Sequence, residues 1–172
     1  MTKRSSGPGA TPATRVLTAA GVAFTMHSFA ADDRARPSTQ PRLAFGLEAA
    51  QALGVEPERV FKTLITEIDG GLWVAVVPVP AQLDLKALAA AAGGKRAAMA
   101  DPVQAERSSG YVVGGISPLG QRRPLPTVID SSALQQVSIF VSGGRRGLDL
   151  ELAADDLVRL SSARTAPIAR GQ

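Results

Sequence analysis

The 172-residue sequence predicts a single domain of the α/β class (mixed α+β), with a mixed, mostly antiparallel sheet or partial barrel surrounded by helices. Three observations favour this fold class. Helical and strand-like segments are interspersed, two of the strands form a hairpin that a strictly doubly wound fold would lack, and no internal repeat is present. The length suffices for one hydrophobic core, and apolar residues make up 45% of the chain.

The first half of the chain is predicted to contain a tail, two helices and three strands. Residues 1–10 are polar and rich in Gly and Ser, and they are predicted to form a flexible tail before a domain that spans 11–170. Thr11 and Pro12 are typical of a helix start, because they place an N-cap residue before a proline in the first turn. That helix is expected to end at Gly21. The elements that follow are a strand over 22–29, a loop over 30–41, a helix over 43–53 and a hairpin over 59–79 with its turn at 69–71.

The second half is predicted to begin with two helices and to continue as strands. Asp84 is a predicted N-cap for a helix that ends at Gly93, and Asp101 with Pro102 begins another short helix. The remaining elements are a glycine- and proline-containing segment over 108–126, strands over 127–130 and 137–141, a glycine loop over 142–147, a strand over 148–152 and a helix over 153–160. The stripe of the 43–53 helix that is expected to face the core consists of Leu43, Leu47, Ala50 and Leu53.

Composition excludes several kinds of site. The chain has no cysteine, which excludes disulfides, thiolate zinc sites and a cysteine nucleophile, and its single histidine makes a histidine metal cluster implausible. We therefore expect no metal and no cofactor. No apolar run approaches the ~20 residues that cross a bilayer, and the N-terminus lacks the apolar core of a secretory signal. A cytoplasmic protein without a membrane partner is expected.

The charge balance is compatible with a polyanionic partner. The net charge is +4 and the sequence pI is about 10.1. Basic pairs are also typical of a solvated protein surface, so both interpretations stay open. The pairs each flank a glycine-rich segment, and they are Lys95 with Arg96, Arg122 with Arg123, and Arg145 with Arg146.

Lys62 lies inside the first strand of the hairpin, where the pattern expects an apolar residue. Side chains alternate between the two faces of a strand, so Lys62 shares its face with Leu64 and Ile68. Phe61 and Thr63 lie on the opposite face. An ammonium group in such a strand must bind an anion, line a water-filled cleft or bear a desolvation cost of several kcal/mol. The alternative is an edge-strand lysine that blocks aggregation or extends to solvent.

Two glycine-rich segments are candidates for binding through main-chain amides. In "GYVVGGISPLGQRR", Gly114 and Gly115 permit close backbone approach and Pro118 stiffens the turn. In "VSGGRRGLDLEL", residues 142–144 are predicted to form a second amide-lined turn. The first segment has one residue too many for a serine-hydrolase elbow, and ordinary tight loops are the alternative in both cases.

Two further side chains carry titratable groups. Asp149 lies within an apolar strand, and it is a candidate partner of Lys62, either across one cleft or in a structural ion pair. The pattern does not distinguish these two arrangements. His27 has neither a second histidine nor an obvious triad near it in sequence, so it is interpreted as a packed or surface histidine.

Four stretches of the chain resemble the YbaK/EbsC family, which comprises bacterial aminoacyl-tRNA deacylases related to the editing domain inserted in prolyl-tRNA synthetase. The stretches are "VFKTLI", "VPVPAQLDLKALA", "MADPVQAERSSGYVVGGISPLGQRRPLPTVID" and "IFVSGGRRGLDLELAADDL". They cover most of residues 60–157 in order, and the third is highly specific. The resemblance is greatest to the YbaK members. It implies the YbaK/prolyl-tRNA-synthetase-associated fold and hydrolysis of Cys-tRNA(Pro), a mischarging product of that synthetase.

The resemblance also implies which residues bind the substrate. Lys62 falls on the family's pocket lysine and would face the ester end of the charged tRNA. The family's G-x-x-x-P loop falls on residues 114–118, whose amides would hold the terminal adenosine and the aminoacyl carbonyl. Phe29 departs from the pattern, because YbaK-like proteins can carry a tyrosine there. The positions assigned to substrate binding are Phe29, Thr63, Gly114, Gly115, Ile116, Pro118, Ser142, Gly143, Gly144 and Asp149.

The mechanism implied by the resemblance needs no protein nucleophile. In cysteine-specific members the substrate's own thiol attacks its ester carbonyl, and the protein holds the reacting groups and stabilises negative charge on oxygen. The basic pairs would contact the tRNA backbone, and prolyl-tRNA synthetase would be a transient partner that supplies tRNA identity. The alternatives are deacylation of another misacylated tRNA, such as Ala-tRNA(Pro), and a non-catalytic module that binds tRNA or a nucleotide.

Overall fold

The structure is a computed structural model that describes residues 9–30 and 41–171, with side chains from residue 46 onward in the second range. The α-helices are α1 (Pro12–Ala20), α2 (Pro41–Leu53), α3 (Leu85–Ala92), α4 (Pro102–Ser109) and α5 (Ala154–Ser161). The strands are β1 (Thr25–Ser28), β2 (Phe61–Ile68), β3 (Gly71–Pro78), β4 (Gln82–Leu83), β5 (Ala97–Met99), β6 (Thr127–Asp130), β7 (Ile139–Arg145), β8 (Leu148–Leu152), β9 (Arg164–Ala166) and β10 (Ala169–Arg170). Single 3-10 turns lie at Pro57–Arg59 and Ser131–Gln135.

The strands form two main sheets that meet at one point. The larger sheet has the order β5-β2-β3-β6-β9, in which β2 is antiparallel to β3 and β5, whereas β3, β6 and β9 run parallel. The smaller sheet, β1-β8-β7, is antiparallel throughout. A parallel bridge between Val60 and Phe140 joins the start of β2 to β7, and β4 pairs with β10 separately. The prediction of a mixed, mostly antiparallel arrangement is confirmed.

Both faces of the β2-β3 hairpin are buried. One face packs against the smaller sheet and α1, where Phe61 and Ile65 of β2 share a core with Leu17. The other face packs against α3, where Ile68 shares a second core with Leu88. This arrangement explains why β2 reads as apolar on both faces, because a central strand covered on both sides loses the usual alternation.

Several element boundaries were predictable from local capping signals. Thr11 caps α1 by accepting a hydrogen bond from the Thr14 amide at 3.2 Å. Asp84 caps α3 in the same manner, with its carboxylate 3.0 Å from the Ala87 amide. The hairpin, the strands β6 and β8, and the helices α4 and α5 also lie within about two residues of the predicted ranges. These predictions are confirmed.

Other predicted elements were wrong in extent or orientation. The strand predicted over 22–29 is limited to β1, and the glycine loop predicted over 142–147 is mostly strand, since β7 continues to Arg145 with a bulge after Ser142. On α2, Ala50 is buried and Leu53 packs against the same core, as predicted, whereas Leu47 of the predicted stripe is exposed. The short strands β4, β5, β9 and β10 were not predicted, because each has only two or three residues.

Part of the N-terminal tail, part of the loop predicted over 30–41 and the Leu43 side chain lie outside the described residues. The domain boundary at residue 11 stays a prediction. None of the helices in the described ranges is long and apolar enough to cross a membrane.

Candidate active site

A cavity of about 130 Å³ lies where β2 separates from its neighbours. Its walls come from α2, β2, the start of α4, the segment after α4 and the β7-β8 hairpin. Val60 and the first five residues of β2, 61–65, line it. Neighbouring side chains of a strand point to opposite faces, so the cavity must run along the edge of β2. The predicted site residues that line it are Phe29, Lys62, Thr63, Gly114, Ile116, Ser142, Arg145, Arg146 and Asp149.

Lys62 lines this cavity and is half-buried. Its Nζ donates a hydrogen bond of 2.8 Å to the carbonyl of Ala81, just after β3. Burial lowers the pKa of the Lys62 ammonium. Within the described residues it makes no ion pair with Asp149, so the structural ion pair considered above is absent there. Of the options that the sequence left open, the structure supports the lysine that lines a cleft.

Thr63 lies beside Lys62 but on the opposite face of β2. Its hydroxyl oxygen is buried and has no hydrogen-bond partner among the described residues. A buried hydroxyl without a partner costs about 1–3 kcal/mol. Thr66, on the same strand, is buried too, but its hydroxyl donates to the Trp73 carbonyl at 3.0 Å. The two threonines therefore have opposite expected effects on stability.

Thr63→Val is expected to raise the melting temperature by roughly 2–4 °C, because it removes an unsatisfied buried hydroxyl and keeps the side-chain shape. Thr66→Val is the matched comparison and is expected to lower the melting temperature, since the Trp73 carbonyl loses its donor. Thermal unfolding followed by circular dichroism measures both. A loss of stability in Thr63→Val similar to that of Thr66→Val would contradict the conclusion that the Thr63 hydroxyl is buried without a hydrogen-bond partner.

Asp149 is buried on β8. In the strand register it lies opposite His27 of β1 on one side and opposite Ser142 of β7 on the other. Burial raises the pKa of its carboxyl to about 7, against a smaller opposing effect of His27. Near neutral pH the carboxyl is therefore present in both protonation states. A carboxyl with these properties on a cavity wall can accept or donate a proton during a reaction.

The raised pKa makes stability depend on pH. The folded chain binds more protons than the unfolded chain between the ordinary pKa of 3.8 and the folded value of about 7. Asp149 therefore lowers the free energy of unfolding progressively as the pH rises through this window, and the loss levels off above it. The Asp149→Asn side chain does not ionise. Relative to wild type, the free energy of unfolding of this variant is therefore expected to rise by up to a few kcal/mol across the window.

Urea unfolding at pH 4.5, 6 and 8 measures this gain in Asp149→Asn. Asp155→Asn, at an exposed position of α5, is the control for a general effect of one lost carboxylate. A difference between Asp149→Asn and wild type that stays constant with pH would contradict the raised pKa.

Beside the cavity, His27 belongs to a polar cluster that sequence reasoning missed. Its Nε2 lies 3.0 Å from Oε1 of Glu151, and Nη2 of Arg59 donates to Oε2 of Glu151 at 3.2 Å. Ser138 also bonds this carboxylate, and its hydroxyl is the largest cause that lowers the pKa of Glu151. Glu151 follows Asp149 by two residues and so shares its face of β8, which is the signal that the sequence contained. His27 is half-buried, which is compatible with its interpretation as a packed or surface histidine.

The glycine-rich segment after α4 differs from the predicted amide cradle. The Gly115 amide donates to the Val112 carbonyl at 2.9 Å, and a Cβ at Gly115 would lie 2.9 Å from the backbone of Arg145. Glycine is therefore required at position 115 by this close contact within the protein, and the Gly115 amide already has a hydrogen-bond partner. Gly114 and Ile116 line the cavity, and no described residue accepts from their amides. Pro118 is buried and does not line the cavity.

The turn predicted at residues 142–144 is a bulged part of β7. Ser142 lines the cavity, and its hydroxyl accepts from the Gly144 amide at 3.2 Å. The Gly143 carbonyl accepts from the Thr11 hydroxyl. Gly144 has φ +110° and lies against Tyr111, where a Cβ would come within 2.8 Å of the ring. Gly143 and Gly144 thus serve packing, and neither lines the cavity.

The three basic pairs lie in different places. Arg145 and Arg146 line the cavity. Arg122 and Arg123 are exposed, and their amides are fixed by carbonyls at the end of α4. Lys95 and Arg96 are exposed beside the hairpin turn, where the amides of both bond the Asp69 carboxylate at 2.8 and 3.0 Å. That turn is seven residues from Lys62, roughly 23 Å along the strand.

Comparison with known proteins identifies the family. A family model described as "Aminoacyl-tRNA editing domain" matches residues 45–160. EbsC of Enterococcus faecalis (strain ATCC 700802 / V583), named as a candidate Cys-tRNA(Pro)/Cys-tRNA(Cys) deacylase, is 41% identical over 120 residues, which are 69% of this chain and 73% of EbsC. The match to the family model exceeds half of the chain.

Solved structures agree in fold. A crystal structure of a candidate trans-editing enzyme for prolyl-tRNA synthetase superimposes with a TM-score of 0.80 at 25% identity, covering 97% of this chain and 100% of that one. The hypothetical protein APE2540 superimposes with a TM-score of 0.79 at 24% identity, covering 93% of this chain and 100% of that one, which shows the shared fold alone. Together with the sequence matches, these findings establish that the chain belongs to the YbaK/EbsC family of aminoacyl-tRNA editing domains.

Proposed function

We propose that this protein is a trans-editing hydrolase that deacylates Cys-tRNA(Pro). One observation carries the proposal: in a chain of this family, a single cavity collects a half-buried lysine, a buried carboxyl and two amides without an acceptor among the described residues. The name of EbsC, which covers Cys-tRNA(Pro) and Cys-tRNA(Cys), supports the choice of a cysteinyl ester.

The proposed reaction uses the substrate's thiol as the nucleophile. Sulfur bonds to the ester carbonyl carbon, the bond from that carbon to the ribose oxygen breaks, and the thiol proton ends on the ribose oxygen that leaves. The product is a cyclic thioester, which water opens to free cysteine. The chain contains no cysteine of its own, and holding the thiol close to the carbonyl supplies most of the rate enhancement.

The cavity residues have distinct proposed roles. The Lys62 ammonium stabilises the negative charge that develops on the carbonyl oxygen, and the amides of Gly114 and Ile116 hold the terminal adenosine. Asp149, whose pKa of about 7 lets it gain or lose a proton near neutral pH, transfers the thiol proton toward the leaving oxygen. Phe29 supplies an apolar wall. Ser142 and the Thr63 backbone complete the lining.

We propose that tRNA contacts begin at Arg145 and Arg146, which border the cavity, and extend over the other basic pairs. Contacts to phosphates make binding salt-dependent and carry little sequence information. A transient complex with prolyl-tRNA synthetase would then supply tRNA(Pro) identity. The Lys95–Arg96 pair lies beside the hairpin turn, seven residues along the chain from Lys62, and is poorly placed to contact the acceptor end.

A deacylation panel tests the function. Wild-type protein is incubated with Cys-, Ala- and Pro-tRNA(Pro) and with Cys-tRNA(Cys), with and without prolyl-tRNA synthetase. We expect rapid loss of cysteine from tRNA(Pro), little loss of proline, and improved discrimination against Cys-tRNA(Cys) when the synthetase is present. Preferred cleavage of Ala-tRNA(Pro) would contradict the cysteinyl substrate and favour the alternative function, which is deacylation of Ala-tRNA(Pro). Binding of every tRNA without turnover of any ester would contradict an enzymatic function.

A further inference from the structure

The outer edge of β2 has a gap in its strand pairing. At its beginning, Val60 is bridged to Phe140 of β7. At its end, β5 pairs with residues 66–68, preceded by a bond of 3.1 Å from the Ala100 amide to the Ile65 carbonyl. Between these two points, no other described strand pairs with this edge. The gap is centred on Thr63.

The direction of the Thr63 main chain follows from the pairing with β3. The amide of Val79, just after β3, donates to the Val60 carbonyl at 2.8 Å, so this carbonyl points toward the β3 side of β2. In an antiparallel ladder this direction alternates with every residue. Lys62 and Leu64 therefore also face β3, whereas the amide and carbonyl of Thr63 face the gap. The Ile65 carbonyl, which faces the same way, is already bonded to Ala100.

The gap opens into the cavity described above. Side chains from both faces of β2 line that cavity, which places it against the edge. Unpaired main-chain donors and acceptors away from bulk water are unfavourable, so nearly all such groups in proteins have partners. Among the described residues, no strand pairs with the Thr63 amide and carbonyl on this side, so both can bond a group that occupies the cavity.

An α-aminoacyl group has the geometry of such a partner. Its amino nitrogen and its carbonyl oxygen are separated by one Cα, as in a single residue of a strand. In the closely spaced pairs of an antiparallel ladder, one residue donates and accepts two hydrogen bonds with the residue opposite. Peptide ligands that add a strand to an exposed edge use the same main-chain bonds.

We propose that the aminoacyl group of the substrate pairs with Thr63 as a one-residue strand. Its α-amino group donates to the Thr63 carbonyl, and its acyl carbonyl accepts from the Thr63 amide. This inference rests on the proposed function and adds how the amino acid is held. It assigns recognition of the atoms common to all α-amino acids to the protein backbone, and leaves the choice of side chain to the rest of the cavity.

The test replaces single main-chain amides by esters in the full-length protein. The α-hydroxy analogue of threonine, inserted by nonsense suppression in translation in vitro, removes the amide hydrogen at position 63. The matched control carries the same analogue at position 66, which faces β3 opposite Trp73 and does not line the cavity. Both proteins are assayed on Cys-tRNA(Pro) below their melting temperatures.

The expected results at the two positions are opposite. The analogue at position 63 is expected to lower kcat/KM by on the order of 10- to 100-fold, the loss of one hydrogen bond to a group that becomes charged. The analogue at position 66 is expected to lower the melting temperature more and to keep wild-type kcat/KM, because it removes a bond within the sheet. Wild-type kcat/KM with the analogue at position 63 would overturn the proposal.

A substrate analogue tests the second bond. 3-Mercaptopropionyl-tRNA(Pro) keeps the thiol and the ester but lacks the α-amino group. Wild-type protein is expected to cleave it at least about 10-fold less efficiently than Cys-tRNA(Pro), because the Thr63 carbonyl loses its donor. Equal efficiency on the two substrates would overturn the proposal. Failure of the wild-type protein to cleave Cys-tRNA(Pro) at all would instead contradict the proposed function, so the two failures are distinguishable.

Discussion

Lys62→Ala is expected to lower the single-turnover rate of Cys-tRNA(Pro) deacylation by on the order of 100-fold or more and to leave the fold intact. Lys62 lines the cavity, and its ammonium is partly shielded from water, where a charge acts more strongly on a developing oxyanion than it does in solution. Removing one such donor from an active site typically costs 10²- to 10³-fold in rate.

The fold is expected to tolerate this change. Lys62 makes one hydrogen bond to a carbonyl and no ion pair within the described residues, so its loss leaves no buried charge unpaired. Lys86→Ala, on the exposed side of α3, is the matched control and is expected to keep wild-type activity. Circular dichroism and thermal unfolding verify both variants. A folded Lys62→Ala with wild-type activity would contradict the role of the lysine.

Ser-tRNA(Pro) is expected to be deacylated on the order of 100-fold more slowly than Cys-tRNA(Pro), although serine and cysteine are nearly isosteric. Both side chains fit the same cavity, so binding alone gives little discrimination. The thiol is far more acidic than the hydroxyl and is the stronger nucleophile near neutral pH, so the substrate-assisted step is efficient with cysteine alone.

The comparison requires the same tRNA(Pro) preparation charged with either amino acid, and subtraction of spontaneous ester hydrolysis. Lys62→Ala serves as the control for residual enzyme from the expression host. Equal rates for the two substrates would exclude the substrate thiol as the nucleophile. They would instead favour attack by water or by the terminal ribose hydroxyl, the route considered for Ala-tRNA(Pro).

The sequence contained enough information to predict the hairpin and to single out the unusual side chains on it. Strand alternation, the Asp69-Gly70-Gly71 turn and the capping residue Asp84 are local signals, and the structure agrees with each of them. Lys62 was conspicuous because its charge violates the apolar pattern of β2. The structure then places it on a cavity wall, which a one-dimensional pattern cannot show.

The reasons for the glycines were not predictable, because they depend on contacts distant in sequence. Gly115 packs on the backbone of Arg145, and Gly144 packs on Tyr111, each more than 25 residues away. Both glycines were assigned to substrate binding through the family resemblance, whereas in the structure they bring protein segments together. Glycine content alone does not distinguish a loop that approaches a ligand from one that approaches its own chain.

The exposure of Leu47 on α2 and the gap in the edge of β2 were missed for a related reason. Which residues of a helix are buried depends on where its neighbours offer an apolar surface. Leu47 is exposed, whereas Ala49 packs in one cluster with Val60 and Phe140. The gap exists because β5 ends at Met99, opposite Thr66. β5 has only three residues, and its pairing partner cannot be identified from local sequence.

A crystal structure with a non-hydrolysable substrate analogue tests the central claim most directly. The analogue is 3′-deoxyadenosine that carries cysteine through an amide at its 3′ position. We expect the cysteinyl group in the cavity along β2, with its carbonyl oxygen within hydrogen-bond distance of the Thr63 amide and with Lys62 Nζ directed toward the carbonyl. A well-ordered analogue bound elsewhere on the protein, with the cavity occupied by solvent, would contradict the claim.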